Sequence, residues 1–263
     1  MNGAGNDFVV IDNRALTYQL EKGQIARLCD RHRGVGADGL LAVEPPEKGA
    51  DYKFRYYNAD GGEAEMCGNG ARCFARFCAS LEDEAPQTLS FETVAGTLSA
   101  EIIGEQVRID MGAPFDLELD TSVEIPDFSE TVHHLNTGVP HAVAFVDDLE
   151  NLDIGKHGSA LRHHAHFSPK GANANFVKIL APNHLRVRTF ERGVEGETLA
   201  CGTGITACAL IHHLLHKAKS PVKIDVAGGD TLEIGFESTS DGNFKNVTLL
   251  GPADFVFQGK LEL

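Results

Sequence analysis

The feature that most constrains this chain is that part of it is written twice. Gly62-Glu63-Ala64-Glu65-Met66-Cys67-Gly68-Asn69-Gly70 is matched by Gly196-Glu197-Thr198-Leu199-Ala200-Cys201-Gly202-Thr203-Gly204, with Gly, Glu, Cys, Gly and Gly in register 134 positions apart. The match continues downstream, where Val94-Ala95-Gly96-Thr97-Leu98 aligns with Val226-Ala227-Gly228 and then, after two extra residues, Thr231-Leu232. An upstream echo sets Asn6-Asp7-Phe8-Val9-Val10-Ile11 against Asn173-Ala174-Asn175-Phe176-Val177-Lys178-Ile179. Two copies are too few for a solenoid. The repeat therefore predicts two related domains facing each other. Their boundary is expected near Met111-Gly112-Ala113-Pro114, after an alternating strand over 105–111, because Gly and Pro break a ladder there.

The local pattern is α/β. Short segments rich in Val, Ile and Phe predict strands over 7–12, 52–57, 97–103, 141–146, 175–180, 186–191, 222–226 and 231–236. Phe74, Phe77, Cys78 and Leu81 recur at helical spacing after Cys67, as do Ile205, Cys208, Ile211 and Leu215 after Cys201. A third helix is expected over 23–31.

Composition excludes several classes. With 38 acidic against 23 basic side chains, formally −15, and no Lys/Arg cluster, nucleic-acid binding is not expected. No apolar run approaches the length of a membrane span, and the N-terminus lacks a signal-peptide pattern, so the expectation is a cytoplasmic protein. The six cysteines include no C-x-x-C pair and have no histidine partners at finger-like spacing, so no metal site is expected. The clusters His163, His164, His166 and His212, His213, His216 read as solvated faces.

Both Cys-Gly-x-Gly segments fall where an extended stretch gives way to a helix. Glycine there lets the backbone approach a ligand. The first-turn N–H groups and the helix dipole favour an anion. The same field lowers a thiol from its usual pKa of about 8.5. Duplicated, this reads as a cradle for one carboxylate with a thiol on each side of the adjacent carbon. A thiolate removes a proton from one face and a thiol returns one to the other, inverting the centre. Cys29, Cys73, Cys78 and Cys208 head no Gly-rich turn and read as core residues.

Gly3-Ala4-Gly5-Asn6-Asp7-Phe8, Tyr57-Asn58-Ala59-Asp60-Gly61, Met66-Cys67-Gly68-Asn69-Gly70-Ala71-Arg72 and Glu191-Arg192-Gly193 before Ala200-Cys201-Gly202-Thr203-Gly204 together resemble the diaminopimelate epimerase family over nearly the whole chain. Proline racemases and hydroxyproline epimerases share the paired-cysteine plan, but typically carry a His after the first Cys-Gly. The resemblance implies two pseudo-symmetric mixed α/β domains, each a curved sheet around a central helix, with the active site in the interdomain cleft. It implies halves at 1–112 and 113–252, with 253–263 joining the first. It implies interconversion of LL- and meso-diaminopimelate without pyridoxal phosphate or any other cofactor, in lysine and peptidoglycan precursor synthesis, by a homodimer. By motif, Cys67 and Cys201 are the acid/base pair. Gly68, Asn69, Gly202 and Thr203 hold the reacting carboxylate, and Asn6, Asn58, Asn173 and Arg192 hold the far end. Glu191 and His141 are auxiliary groups beside the thiols and the substrate, His141 helping to deprotonate one.

The chain departs from the family pattern at several points. Val139 stands where an Asn usually precedes the Pro-His pair, and Gly39 where some members have Gln. The stretch between Glu191 and Cys201 is one residue longer, with Glu195 the extra one. Phe257 replaces a Tyr that often supports the dimer. The chain also opens almost at the first motif, so its start is read as shortened. Val139 motivates an alternative, an amino-acid racemase of broader or different specificity. A redox protein with a reversible Cys67–Cys201 disulfide is the alternative from another class.

Overall fold

The computed structural model describes residues 1–64, 66–121, 123–240 and 242–261. The chain divides into two compact units, Met1–Asp110 with Gly251–Leu263, and Met111–Leu250.

The first unit contains β1 (Asn2–Gly3), β2 (Asn6–Asp12), α1 (Lys22–Cys29), β3 (Gly39–Glu44), β4 (Tyr52–Asn58), β5 (Glu63–Ala64), α2 (Gly68–Ser80), β6 (Thr88–Thr93), β7 (Gly96–Ile103) and β8 (Gln106–Asp110). β2 and β3 pair in parallel, β3 and β4 antiparallel, and β4 and β6 again in parallel. Parallel neighbours need a crossover, and α1 and α2 supply the two. Antiparallel β7 and β8 complete the series. β3 reads Gly-Leu-Leu-Ala-Val because it is buried along its length. α1 starts on a capping box between Glu21 and Gln24. α2 buries Phe74 edge-on to Phe54, with centroids 5.0 Å apart, and beside Phe91 at 5.1 Å.

The second unit contains β9 (Phe115–Thr121), β10 (Val132–Asn136), β11 (Pro140–Phe145), α3 (Ile154–Arg162), β12 (Asn173–Ala181), β13 (His184–Glu191), β14 (Gly196–Thr198), α4 (Gly202–His216), β15 (Val222–Asp225), β16 (Thr231–Ser238) and all but the last two residues of β17 (Phe244–Pro252). The pairing order repeats. β11 and β12 are parallel through α3, β12 and β13 antiparallel, β13 and β15 parallel through α4, and β15, β16 and β17 antiparallel. α4 is buried on every side from Ile205 to His212, the mark of a core helix.

This topology corrects the upstream echo read from the sequence. In pairing order β2 corresponds to β11 and β3 to β12, so Asn6–Ile11 and the strand through Phe176 are not equivalent. Both run beside a parallel neighbour and both bury the phenylalanine, Phe8 and Phe176, which suffices for the shared residue at positions that do not correspond. The histidine reading is corrected too. His212 is buried, its Nε2 2.9 Å from the Pro182 carbonyl, whereas His163 and His164 are at the surface or partly so.

Gly70 and Gly204, the last glycines of the two motifs, press their helices onto the sheet rather than opening space for a ligand. A Cβ on Gly70 would meet the Leu41 methyl at 3.3 Å and the Phe8 ring at 3.4 Å, whereas one on Gly204 would collide with Asn175 Oδ1. Alanine in a helix normally gains up to about 1 kcal/mol over glycine. At Gly204 overpacking reverses the sign, and Gly204→Ala is expected to cost about 1–3 kcal/mol in thermal or chemical denaturation. Gly70→Ala, whose neighbours are side-chain tips, is expected to cost less. Equal stability of Gly204→Ala and the parent would contradict this packing.

Candidate active site

Both motif cysteines are N-cap residues. Cys67 precedes α2 with φ −140° and ψ 121°, and Cys201 precedes α4 with φ −120° and ψ 104°. Each carbonyl accepts the first helical hydrogen bond, from Ala71 at 2.7 Å and from Ile205 at 3.0 Å. The extended cap conformation turns each thiol toward its own helix start. Cys67 Sγ accepts from the Gly70 N–H at 3.5 Å, and Cys201 Sγ lies 3.6 Å from the Thr203 hydroxyl. The other four cysteines are buried. Burial, with smaller contributions from Asp7 and Asp38, pushes the Cys29 thiol up to about 11, and burial pushes Cys73 up to about 12. Cys78 and Cys208 are raised for the same reason.

In the first unit, Asn69 sits in the opening turn of α2. Its Oδ1 accepts from Arg72 at 3.0 Å and its Nδ2 donates to Asn6 Oδ1 at 3.5 Å. Fully buried Arg72 also donates to the carbonyls of Gly68 and Pro252, at 3.3 and 3.2 Å. Asn6, expected to hold the far end of the substrate, has its Oδ1 3.5 Å from Cys67 Sγ. Asn58 ends β4, opposite Gly39. The Tyr56 hydroxyl donates to Asn58 Oδ1 at 2.9 Å, turning the amide N–H2 away. A side chain at Gly39 would run into the Tyr57 carbonyl and the Tyr56 ring, so glycine here goes with a tyrosine packed over it.

In the second unit, Gly202 and Thr203 open α4, and the Thr137 hydroxyl holds the Thr203 carbonyl at 2.8 Å. Asn173 is buried and its Oδ1 accepts from the Arg192 backbone N–H at 2.7 Å. The Arg192 guanidinium touches the Gly171 carbonyl at 3.4 Å. Burial raises the Glu191 carboxyl, against the Thr198 hydroxyl that donates to it at 2.9 Å. Glu195 occupies the left-handed region with φ 55°, next to Gly193 at 92°. Its carboxylate accepts from the Gly193 N–H at 3.0 Å and pairs with Arg162 at 3.0 Å, so the extra residue becomes a turn tied to α3. Val139 is half-buried in the turn between β10 and β11, and its carbonyl accepts from the Thr137 N–H at 3.2 Å.

His141 is fully buried, and burial, then His134 and Arg192, pulls its pKa down to about 3. Asn175 fixes its tautomer. The Ala142 carbonyl, an acceptor only, takes Asn175 Nδ2 at 3.0 Å, and the same Nδ2 lies 3.2 Å from His141 Nδ1. Nδ1 therefore accepts and Nε2 carries the hydrogen. Nε2 is buried with no hydrogen-bond partner among the described residues. The expected role of helping to deprotonate a thiol does not suit this ring: it has no free lone pair and offers an N–H. Asn175, Thr137, Arg31 and Asp38 were not singled out as site residues by sequence reasoning. The alternation Asn173-Ala174-Asn175 on one strand, which points both amides to one face, was the available signal for the first.

The ring's depressed pKa makes a stability prediction. Below about pH 6.5 an unfolded imidazole takes up a proton that the folded one refuses until about pH 3. The parent is therefore expected to lose stability relative to His141→Gln by about 1.4 kcal/mol per pH unit below that point, and nothing above it. A stability difference that stays flat between about pH 7 and about pH 5 would contradict this assignment.

The diaminopimelate epimerase family profile matches residues 1–115 and 134–256. The diaminopimelate epimerase of Chlorobaculum tepidum is 43% identical, with all of both chains covered. That of Aquifex aeolicus is 41% identical over 99% of this chain and 96% of its own. Among solved structures, a phenazine biosynthesis protein of the PhzF family from Bacillus anthracis has a TM-score of 0.70 at 17% identity, covering 96% of this chain and 92% of that one. A probable proline racemase from Agrobacterium radiobacter K84 has a TM-score of 0.67 at 20% identity, covering 90% and 80%. These two likenesses concern the fold alone.

Proposed function

The chain belongs to the diaminopimelate epimerase family, and as a member, we propose, it is an isomerase that interconverts LL- and meso-diaminopimelate in lysine and peptidoglycan precursor synthesis. The observation that carries the chemistry is the duplicated helix start: the two thiols are N-caps of topologically equivalent helices, in nearly the same backbone conformation. We read Cys67 and Cys201 as the two acid/base groups acting on one α-carbon. One, as thiolate, takes the α-proton. The other, as thiol, delivers a proton to the opposite face, and the roles exchange in reverse. The difficulty is carbanion character next to a carboxylate, so stabilisation is needed where that charge develops. Gly68 and Asn69 in α2 and Gly202 and Thr203 in α4 are proposed to receive that carboxylate on first-turn N–H groups and the positive helix ends.

Asn58, Asn173 and Arg192 are proposed to hold the distal end, the guanidinium fork suiting a carboxylate. Raised Glu191 is proposed to meet the substrate's ammonium end. We further propose a cytoplasmic homodimer that works without pyridoxal phosphate or metal. No helix of the described residues is long and apolar enough to cross a membrane, and exposed Phe255, Val256 and Phe257 offer a second copy an apolar surface.

Val139 and Gly39 motivate a second reading, a racemase acting on other amino acids. Turnover of diaminopimelate, glutamate and proline separates the two. Diaminopimelate is expected to be the substrate, and turnover of proline or glutamate alone would overturn the first reading. Cys67→Ala and Cys201→Ala are each expected to lower kcat at least about 100-fold, the ordinary scale of a general acid or base. Full turnover in either variant would remove that thiol from the mechanism. Activity is expected to fall on both the acid and the alkaline side, since one thiol must be ionised and the other not.

A further inference from the structure

The side chain of Asn6 is held from both ends. Its Nδ2 donates to Asp38 Oδ2 at 2.6 Å, and its Oδ1 faces Cys67 Sγ and Asn69 Nδ2, each at 3.5 Å. An amide can turn over, and what decides its sense is the character of its neighbours. An ionised Asp38 only accepts, so it takes the N–H2 end and the oxygen is left toward Cys67. From the other side Arg72, which only donates, holds Asn69 Oδ1 at 3.0 Å, so Asn69 also turns its N–H2 toward Asn6. The two charges impose the same sense.

Asp38 is itself clamped. Arg31 grips Asp7 with both nitrogens at 2.8 Å and reaches Asp38 Oδ1 at 2.8 Å. The Asp38 N–H donates to Asp7 Oδ1 at 2.9 Å, and the Asp7 N–H to Asp38 Oδ2 at 3.3 Å. The parallel pairing of β2 and β3, with Phe8 opposite Gly39, puts the two aspartates side by side. Arg31 and Asp38 are exposed, and ion pairs of that kind add little to folding stability. The effect of the clamp is on orientation.

We infer that Asp38, held by Arg31 and Asp7, is a positioning residue for the reaction: it fixes the Asn6 amide with its oxygen toward Cys67, so that this thiol meets an acceptor and is kept ready as the proton donor. A reversed amide would present a second N–H to the sulfur beside that of Gly70 and shift the balance toward the thiolate. The inference rests on Cys67 being one of the two acid/base thiols, and its test reads the thiol rather than turnover.

In a Cys201→Ala background, the pH dependence of iodoacetamide alkylation reports Cys67, because the remaining four thiols are buried and have raised pKa values. Asp38→Ala is expected to lower the apparent pKa of Cys67 by about one unit, a tenfold rise in thiolate at a given pH, the scale of one hydrogen bond. Asp38→Asn, which keeps the shape, is expected to move it in the same direction by less. Loss of the Asp38 charge alone would also lower the thiol, so both substitutions are repeated with Asn6→Ala. Acting through Asn6 predicts a much smaller shift there, no more than the lost charge itself causes. A shift of the same size in the Asn6→Ala background, or no shift in a variant that melts cooperatively like the parent, would overturn the inference. In the chain with Cys201 intact, Asp38→Ala is expected to reduce kcat with little change in KM. Loss of turnover with an unshifted thiol would count against the inference and leave the proposed function standing.

Discussion

A helix can offer a thiol at its start only if the capping residue stays extended while the next residues turn and the helix lies close against its sheet. Both halves of this chain meet that constraint with the same few residues. Cysteine takes the cap in β-region geometry, and the glycine three positions on removes the side chain that would hold the helix off. At Gly204 the approach is so close that Asn175, the residue that orients His141, occupies the space a Cβ would need. Packing and site chemistry are therefore one requirement there. The duplicated crossover topology follows from it, since each such helix is the link between two parallel strands.

The two halves share this plan but surround their thiols differently. Around Cys67 the neighbours are amides and charges: Asn6, Asn69, Arg72 and the Arg31–Asp7–Asp38 clamp. The second unit, which carries Cys201, is drier. It holds His141 neutral by burial, Glu191 with a raised pKa, and hydroxyls from Thr137, Thr189 and Thr198 holding a carbonyl, an amide and a carboxylate. A two-base inversion asks for such a difference. At any moment one thiol must be ionised and the other not, and unequal surroundings separate two groups that would otherwise titrate alike.

The two Cys-Gly-x-Gly helix starts were legible in the sequence because they are local. Each thiol, its glycines and its helix are contiguous, and the helical periodicity after Cys67 and Cys201 emerges as α2 and α4. What the sequence hid lies far apart along the chain. Asn6 meets Asp38 across 32 positions, and His141 meets Asn175 across 34. Among the elements, β3 is a continuous apolar run, which periodicity alone does not distinguish from a buried helix. α3 carries two glycines that weaken its helical signal, one of them because Phe190 leaves no room for a side chain at Gly158. The histidines of α4 looked like a polar face, yet His212 satisfies its Nε2 on a backbone carbonyl inside the core. In the mistaken echo between β2 and β12, a phenylalanine is buried beside a parallel strand in both, at positions that the pairing order does not make equivalent.

The central claim is that two thiols, one for each face of the α-carbon, divide the proton transfer between them. Running the reaction in deuterated water from a single stereoisomer tests it most directly, by following deuterium at the α-carbon of product and of unreacted substrate over the first few per cent of conversion. The two-thiol account predicts that product molecules carry solvent deuterium from the outset while the remaining substrate stays protiated. Deuterium entering substrate as fast as product, or product retaining the substrate's own hydrogen, would mean that one group serves both faces and would contradict it.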